Sequence, residues 1–310
     1  MRLTYPSKFL SACAIAAAAF AMSGSARADQ LFAFNYSLPG NGATPMPTSA
    51  SGYLVTSDLN GGNYNVLDAF GTWNGLDITG VSAPGTFGGN DNLLNTADPF
   101  LTFNGLTFSV NGAGDAGTGL VNLFYDIAQG GYNENDPNVG SSLNISVTPA
   151  TLTPILFDFS YSIPGQGSAP LAVSASGRLT TYHTYGNNYF VTGVSGAWNG
   201  TPILGAVDPG IFPNLSVFGF TNDNLLTTDD PHLTINGLSF ALVGGSGGDD
   251  GSGNVNVFSA GGYTEFNDNV GFTSDFNLSQ VPEPSTWILI SGGLLGVALQ
   301  MRRKTRKPVA

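Results

Sequence analysis

Side chains suited to acid–base or nucleophilic catalysis are scarce in this sequence of 310 residues. The two histidines are His183 and His232, and a Ser-His-Asp hydrolase would need one of them beside a serine and a carboxylate. Neither is accompanied by the Gly-x-Ser-x-Gly pattern that places a serine nucleophile on a sharp turn. The single cysteine, Cys13, lies in the N-terminal apolar run. We therefore expect two surface histidines, no catalytic residue and no enzymatic activity.

Acidic residues in segments rich in Asn and Gly are the next candidates for chemistry. Glycoside cleavage needs two carboxylates at a fixed separation in a cleft, whereas Ca²⁺ needs several oxygen ligands on flexible loops. No segment has EF-hand spacing, and Asn, Asp and Gly also satisfy their own backbone in turns. The sequence therefore favours turns, with Ca²⁺ as the one candidate cofactor. Its candidate ligands are Asp91, Asp98, Asp223, Asp229, Asp230, Asp249 and Asp250.

Two tryptophans precede Asn-Gly dipeptides, Trp73 at residues 74–75 and Trp198 at residues 199–200. An indole near a loop could stack on the face of a sugar, which makes both residues candidate ligand contacts. A tryptophan beside a hairpin turn is also a common cross-strand core anchor. The sequence favours the core anchor and keeps sugar binding as the alternative.

The charge of the chain is divided unequally along its length. Between Asp29 and Val281 the only basic residue is Arg178, although this segment holds all but one of the 21 acidic residues. Phosphate backbones would be repelled by so acidic a body, so we expect no nucleic-acid partner. A solvated acidic surface is the simplest interpretation of this excess.

A duplication organises the middle of the chain. Residues 34–40 (FNYSLPG) recur at 159–165 (FSYSIPG), and 71–75 (GTWNG) recur at 196–200 (GAWNG), so these copies lie 125 residues apart. Residues 90–94 (NDNLL) recur at 222–226, which is 132 residues apart, so the second copy has gained about seven residues in a loop. The sequence predicts two homologous domains, 29–149 and 150–280.

Each copy carries the signals of antiparallel β structure. Apolar and polar residues alternate in segments such as 31–36 and 255–258. Asn-Gly at residues 74–75 and 104–105, and at the two equivalent places in the second copy, predicts type I′ hairpin turns. No stretch within the two copies has a helical period. We therefore predict an all-β fold of two tandem, homologous antiparallel domains of about eight strands each, as a sandwich or a barrel.

The N-terminus has the three parts of a signal peptide over residues 1–28. Arg2 and Lys8 give a positive start, and an apolar run rich in alanine follows over 9–22. Ala26 and Ala28 supply the small residues at positions −3 and −1, which predicts cleavage by signal peptidase before Asp29.

The C-terminus, residues 281–310, combines a Pro-Glu-Pro motif, an apolar segment and a basic tail. Pro282 and Pro284 flank Glu283, and an apolar segment of about 15 residues follows, which spans about 22 Å as a helix. This predicted transmembrane helix is short for a permanent span of about 30 Å. The basic residues after it would stay on the cytoplasmic side. A plain membrane anchor is the alternative to a processed signal.

This arrangement resembles the C-terminal sorting signal of the PEP-CTERM family of exported proteins. The resemblance covers roughly the last 30 residues. It implies that an exosortase, a membrane-embedded cysteine protease-transpeptidase, recognises Pro282, Glu283 and Pro284 and removes the tail. It also implies export in a Gram-negative bacterium that makes exopolysaccharide and biofilm. The repeated Trp-Asn-Gly and Asn-Asp-Asn-Leu-Leu segments resemble an uncharacterised repeat of other PEP-CTERM proteins, which supplies no activity.

These features together predict a non-catalytic structural or interaction protein of the cell surface or the extracellular biofilm matrix. Its expected partners are signal peptidase and exosortase as processing enzymes, with exopolysaccharide as a further candidate. We expect contact with the membrane only through the C-terminal helix, before cleavage. A carbohydrate-dependent or calcium-dependent binding module is the first alternative, and a secreted hydrolase is the second.

Overall fold

The computed structural model describes residues 30–57, 61–212, 221–245, 247–267 and 269–282. The predicted signal peptide, all but the first two residues of the predicted sorting signal and the predicted transmembrane helix lie outside the described residues.

The first unit is a single antiparallel sheet. Its strands are β1 (Gln30–Leu38), β2 (Thr48–Thr56), β3 (Asn63–Trp73), β4 (Leu76–Val81), β5 (Leu93–Asn95), β6 (Leu106–Val110), β7 (Leu120–Asp126), β8 (Gly131–Glu134) and β9 (Ile145–Pro149). The sheet order is β8-β7-β6-β4-β3-β2-β1-β9, and β5 pairs with β3.

The second unit repeats this topology. Its strands are β10 (Ile155–Ile163), β11 (Val173–His183), β12 (Asn188–Trp198), β13 (Thr201–Ala206), β14 (Leu225–Thr227), β15 (Leu238–Leu242), β16 (Asn254–Ser259), β17 (Tyr263–Glu265) and β18 (Phe276–Gln280). The order is β17-β16-β15-β13-β12-β11-β10-β18, with β14 paired to β12. The predicted all-β fold and the duplication are confirmed, with nine strands in each copy where about eight were expected.

Each sheet curls until its two ends nearly meet. A bridge between Tyr132 and Ser142 joins β8 to the segment that leads into β9, and Tyr263 and Thr273 form the same bridge in the second copy. Of the two architectures that the sequence left open, the structure is therefore a nearly closed barrel. We call the two units the first and the second barrel.

The bend of each sheet uses a pair of facing glycines. Gly52 on β2 is opposite Gly71 on β3, whose φ is 144°. A Cβ added to Gly71 would lie 2.2 Å from the carbonyl oxygen of Ser51, so the strands can approach this closely only with glycine. The second barrel repeats the pair, which explains why the glycines recur with the duplication.

The strand alternation seen in the sequence fills the barrel interiors. Along β1 every second residue from Phe32 onward is buried in the barrel core, namely Phe32, Phe34, Tyr36 and Leu38, as expected when successive side chains point to opposite faces. Leu31 points to the other face and is buried there outside this core. Each barrel has its own apolar core, and the two cores contain equivalent residues from the same strands.

The predicted Asn-Gly turns differ in outcome. Asn74 and Gly75 both have positive φ, as a type I′ turn requires, and the second copy repeats this turn. At residues 104–105 only the glycine has positive φ, so the prediction of a type I′ turn was wrong there and at its equivalent. The N–H of Gly105 instead donates to the hydroxyl of Thr102. A side-chain hydroxyl is therefore the acceptor here, where a hairpin turn would use a backbone carbonyl.

A third apolar cluster lies where the two barrels meet. The first barrel contributes Leu31, Val55 and Phe70, and the second contributes Phe190, all of them buried. Partly buried residues complete the cluster, namely Tyr53, Leu67, Ala150, Leu152, Tyr182 and Leu225. The connection between β9 and β10 therefore packs together with both barrels.

Candidate functional site

Each barrel contains a buried glutamate that accepts hydrogen bonds from a tyrosine and a tryptophan. In the first barrel, Glu134 on β8 accepts hydrogen bonds at Oε1 from the hydroxyl of Tyr36 (2.6 Å) and from Nε1 of Trp73 (3.0 Å). Because β1 and β8 lie near opposite ends of the sheet order, the bond between Tyr36 and Glu134 crosses the opening of the barrel. This Tyr-Glu-Trp centre therefore ties the two ends of the sheet together.

The second barrel repeats the Tyr-Glu-Trp centre. Glu265 accepts from Tyr161 (2.6 Å) and from Trp198 (2.8 Å). Trp73 and Trp198 are 4% and 6% exposed, so both rings lie in the barrel cores and neither face is open to a sugar. The structure thus places both tryptophans as core anchors rather than as exposed ligand contacts.

A second carboxylate accompanies each centre. Asp115 lies in a 3₁₀ turn after β6, and its Oδ2 accepts the backbone N–H of Asn122 at 2.9 Å. Burial and the nearby Glu134 raise the pKa of Asp115 to about 7. Asp249 occupies the same place in the second barrel and accepts the N–H of Asn256 at 2.7 Å. In both barrels this aspartate closes the loop that leads into the next strand.

The two central glutamates differ in one neighbour. Burial raises the pKa of Glu134, while the hydrogen bonds from Tyr36 and Trp73 and the nearby hydroxyl of Thr48 lower it in part. The Oγ1 of Thr48 makes no hydrogen bond within the described residues. Burial raises the pKa of Glu265 to about 7, with only Tyr161 and Trp198 opposing the shift. The residue equivalent to Thr48 is Val173, which has no hydroxyl. The second centre therefore lacks this hydroxyl.

The chemistry open to these centres is limited by their burial. Glu134 and Glu265 are 2% and 3% exposed, and their hydrogen bonds are made with residues of their own barrel. They can hold or release a proton and fix the closure of the barrel. A substrate would have no path to them without opening the sheet.

The calcium candidates Asp91 and Asp223 make internal hydrogen bonds. Asp91 accepts from the hydroxyl of Thr102 and from the backbone N–H of Leu93. Asp223 accepts in the same way from Thr234 and Leu225. Burial raises the pKa of Asp223, and these donors oppose the shift. In both barrels the aspartate organises the segment that precedes β5 or β14.

The remaining calcium candidates are distributed over other loops. Asp98 and Asp230 accept from the hydroxyls of Tyr132 and Tyr263, and Asp229 accepts from Asn187 at 2.9 Å. The side chain of Asp250 lies outside the described residues. Within the described ranges, no group of three His, Cys, Asp or Glu residues is placed to hold a metal ion. Calcium binding stays a prediction, to be tested on the protein in solution.

The two histidines lie near backbone carbonyls. His183 is exposed, and its Nε2 is 2.8 Å from the oxygen of Gly186. Nδ1 of His232 is 3.0 Å from the oxygen of Thr227. In the described part of the chain, neither ring forms a hydrogen bond with a serine or a carboxylate.

Sequence reasoning missed Glu134, Glu265 and their partners Tyr36 and Tyr161. A signal was present, because the segments Gly-Tyr-Asn-Glu and Gly-Tyr-Thr-Glu end at equivalent places in the two copies. An acid that recurs at the end of a short strand, two residues after a tyrosine, is a candidate for a buried role.

The C-terminal end of the second barrel leads directly into the Pro-Glu-Pro motif. The last strand, β18, ends at Gln280 and pairs with β10. The backbone N–H of Val281 still donates to the carbonyl of Leu156 at 2.8 Å, and Pro282 is exposed. Glu283, Pro284 and the segment after them lie outside the described residues. The motif therefore begins at the edge of a folded barrel.

A comparison with protein-family models identifies the C-terminal motif. Residues 280–304 match the model of the PEP-CTERM protein-sorting motif. The chain carries a PEP-CTERM sorting signal. The match supports its assignment to the exported proteins that exosortase processes, with transit through a membrane-anchored state.

The other comparisons add no relative. No curated protein and no solved structure matches the chain. Among the residues that the structure describes, no helix has both the length and the apolar character to cross a membrane. The match to the sorting motif therefore supports export and processing.

Proposed function

We propose that this PEP-CTERM protein is a non-catalytic structural or interaction protein of the cell surface or the extracellular biofilm matrix. The observation that carries the proposal is the sorting signal that begins at the last strand of a tandem-barrel body. Export is followed by cleavage before Asp29 by signal peptidase and by removal of the tail at the Pro-Glu-Pro motif.

The body supports a role that depends on surface and stability rather than on a reactive group. Its carboxylates with raised pKa are buried or partly buried in or between the barrels, and its histidines lie at backbone carbonyls. An acidic exterior keeps copies apart in solution and selects against anionic partners.

The intact mass of the protein recovered from the surface and the medium of its own host tests this proposal. A mass that begins at Asp29 and ends near Pro284 is expected. A mass that retains residues 287–310 would mean that the tail is an anchor, and processing by exosortase would be refuted. Additional mass in hexose steps would support a role in the matrix.

A face rich in hydroxyl groups favours one second candidate, a module that binds neutral polysaccharide. On the second barrel, outward Ser160 faces Ser176 and Ser162 faces Ser174 across β10 and β11, and Asn277 lies on β18 beside them. They line a shallow depression of about 470 Å³. The first barrel keeps the pattern, with Asn35 opposite Ser51 and Ser37 opposite Ser49. Hydroxyl and amide groups of this kind can donate to and accept from sugar hydroxyls.

Retention of the full-length chain on immobilised exopolysaccharide of the host tests the second candidate. The double variant Ser160→Ala, Ser176→Ala should lose retention, and the matched control Ser195→Ala, an exposed serine elsewhere on the same barrel, should keep it. Equal retention of both variants would exclude this face. The same preparations test the calcium prediction, because a bound Ca²⁺ would raise the melting temperature in millimolar calcium relative to chelator.

A further inference from the structure

Asp68 is a buried carboxylate in the contact between the two barrels. It lies on β3 directly opposite Val55 of β2, and Phe70 is two residues further on the same face. Val55 and Phe70 both belong to the cluster that the second barrel covers. Asp68 is 4% exposed, and its Oδ2 has no hydrogen-bond partner among the described residues. The side chain is therefore buried on the face of the first barrel that the second barrel covers.

Among the residues that the structure describes, no positive charge compensates Asp68. The charged group of the second barrel that acts on it is Asp223, which has the same sign, and the N–H of Ala69 is the donor that opposes the effect of burial. His183 is exposed at the end of β11, and Arg178 pairs instead with Asp158 at 2.9 Å. The remaining titratable groups on the surrounding elements are Tyr53, Asp77, Tyr182 and Asp208.

The second copy shows that a barrel does not need this acid. The residue equivalent to Asp68 is Gly193, which lies opposite Thr180 as Asp68 lies opposite Val55. Both barrels fold with the same strand order. The role of Asp68 must therefore lie in what is peculiar to the first barrel, which is the face covered by its neighbour.

We propose that Asp68 makes the contact between the barrels pH-dependent, so that the barrels dock when its carboxyl is protonated and separate when it is charged. The apolar residues around it favour docking at every pH. The charged carboxylate, left without a partner and facing Asp223, opposes docking because a buried unpaired charge is costly.

The direction and the range of the effect follow from linkage. Burial raises the pKa of Asp68 from its ordinary 3.8 to about 7 in the docked form, and Asp223 adds to the shift. In the undocked form the carboxyl is in water and titrates near its ordinary value. Docking therefore binds a proton between about pH 4 and pH 7, and the undocking constant should rise by up to about tenfold per pH unit across this range and then level off.

Energy transfer between two dyes on the full-length chain measures the separation of the barrels. The dyes are attached through Ser51→Cys and Ser176→Cys, both at exposed positions, in a Cys13→Ser background. Transfer efficiency should fall as pH rises from 4 to 8. Asp68→Asn should hold high efficiency throughout, and the matched control Asp77→Asn, an exposed acid of the same barrel, should behave as the parent chain does.

Three results would overturn the proposal. They are an efficiency that does not change with pH in the parent chain, a change that persists in Asp68→Asn, and a change that Asp77→Asn abolishes. If circular dichroism shows that Asp68→Asn does not fold, Asp223→Asn takes its place. Removal of the opposing charge should then lower the pKa of the docked Asp68, so that the fall in efficiency is smaller and levels off at lower pH. An unchanged curve would refute the role of Asp68.

Discussion

The two barrels share an interior and differ on one outer face. The outward positions at the same end of strands β2 and β3, and of their equivalents β11 and β12, change from a mainly apolar set to a mainly polar set. In the first barrel they are Tyr53, Val55, Asp68 and Phe70, and in the second they are Arg178, Thr180, Gly193 and Ser195. The first face is covered by the second barrel, whereas Arg178 and Ser195 remain exposed.

This comparison teaches which constraints a duplicated domain keeps. Strand pairing, the facing glycines and the Tyr-Glu-Trp centre are retained because each barrel needs them to close. The outer face is free to change, so it has become apolar only where it meets a neighbour.

The largest expected effect tests the shared interior. Trp73→Ala and Trp198→Ala should each lower the free energy of unfolding of their own barrel by about 3–5 kcal/mol, because a large side chain and a hydrogen bond to the central glutamate are both lost. Chemical denaturation followed by circular dichroism measures the loss. An effect confined to one of the two variants would show that the barrels do not use the centre equally.

The pH dependence of the second barrel comes next. Because the pKa of Glu265 is raised to about 7 in the folded state, the folded barrel binds a proton that the unfolded chain releases above about pH 4.5. Stability should therefore fall by about 3 kcal/mol as pH rises from 4.5 to 7 and then level off. Denaturation at several pH values measures this fall, and Glu265→Gln should remove it.

The covered face gives a smaller effect. Phe70→Ser, which installs the residue of the second copy, should weaken docking by about 2 kcal/mol through the loss of buried aromatic area. Ser195→Ala, at the equivalent exposed position, should change stability by less than about 0.5 kcal/mol. Denaturation curves compare the two variants, and equal effects would mean that the contact contributes no stability.

The smallest expected effect concerns the hydroxyl that lies near Glu134 and is absent near Glu265. Val173→Thr should place a hydroxyl beside Glu265, lower the pKa of that carboxyl from about 7 and stabilise the second barrel at pH 8 by about 1 kcal/mol. Thr48→Val should do the reverse in the first barrel. The pKa of each glutamate can be followed by carboxyl carbon NMR, and an unmoved pKa in both variants would remove the hydroxyl as the cause.

Local patterns allowed much of the fold to be predicted. The alternation over residues 31–36 predicted β1 because burial along a strand has a period of two. Asn74-Gly75 predicted a hairpin because few other residue pairs tolerate two positive φ angles in succession. The same dipeptide at 104–105 misled, since Thr102 and Asp91 supply contacts that no local rule foresees.

The Tyr-Glu-Trp centres and the contact between the barrels could not be predicted from local sequence patterns. Tyr36 and Glu134 are 98 residues apart, and their bond exists only because the sheet curls until β1 and β8 approach each other. Glu134 also ends a strand of four residues, which is too short to display a period. The covered face could have been noticed where the copies differ, at Phe70 and Ser195, whereas the duplication was recognised from where they agree.

The hydrogen bond between Val281 and Leu156 limits how far the Pro-Glu-Pro motif can extend from the second barrel. From Gln280 to Pro284 the chain spans at most about 14 Å even when fully extended. An enzyme embedded in the membrane that cuts at this motif must therefore accommodate the folded second barrel within this distance of its active site. The rim of the second barrel around β10 and β18 therefore lies next to the enzyme during cleavage. Larger side chains added at this rim would slow release of the protein, although the cleavage sequence itself is unchanged.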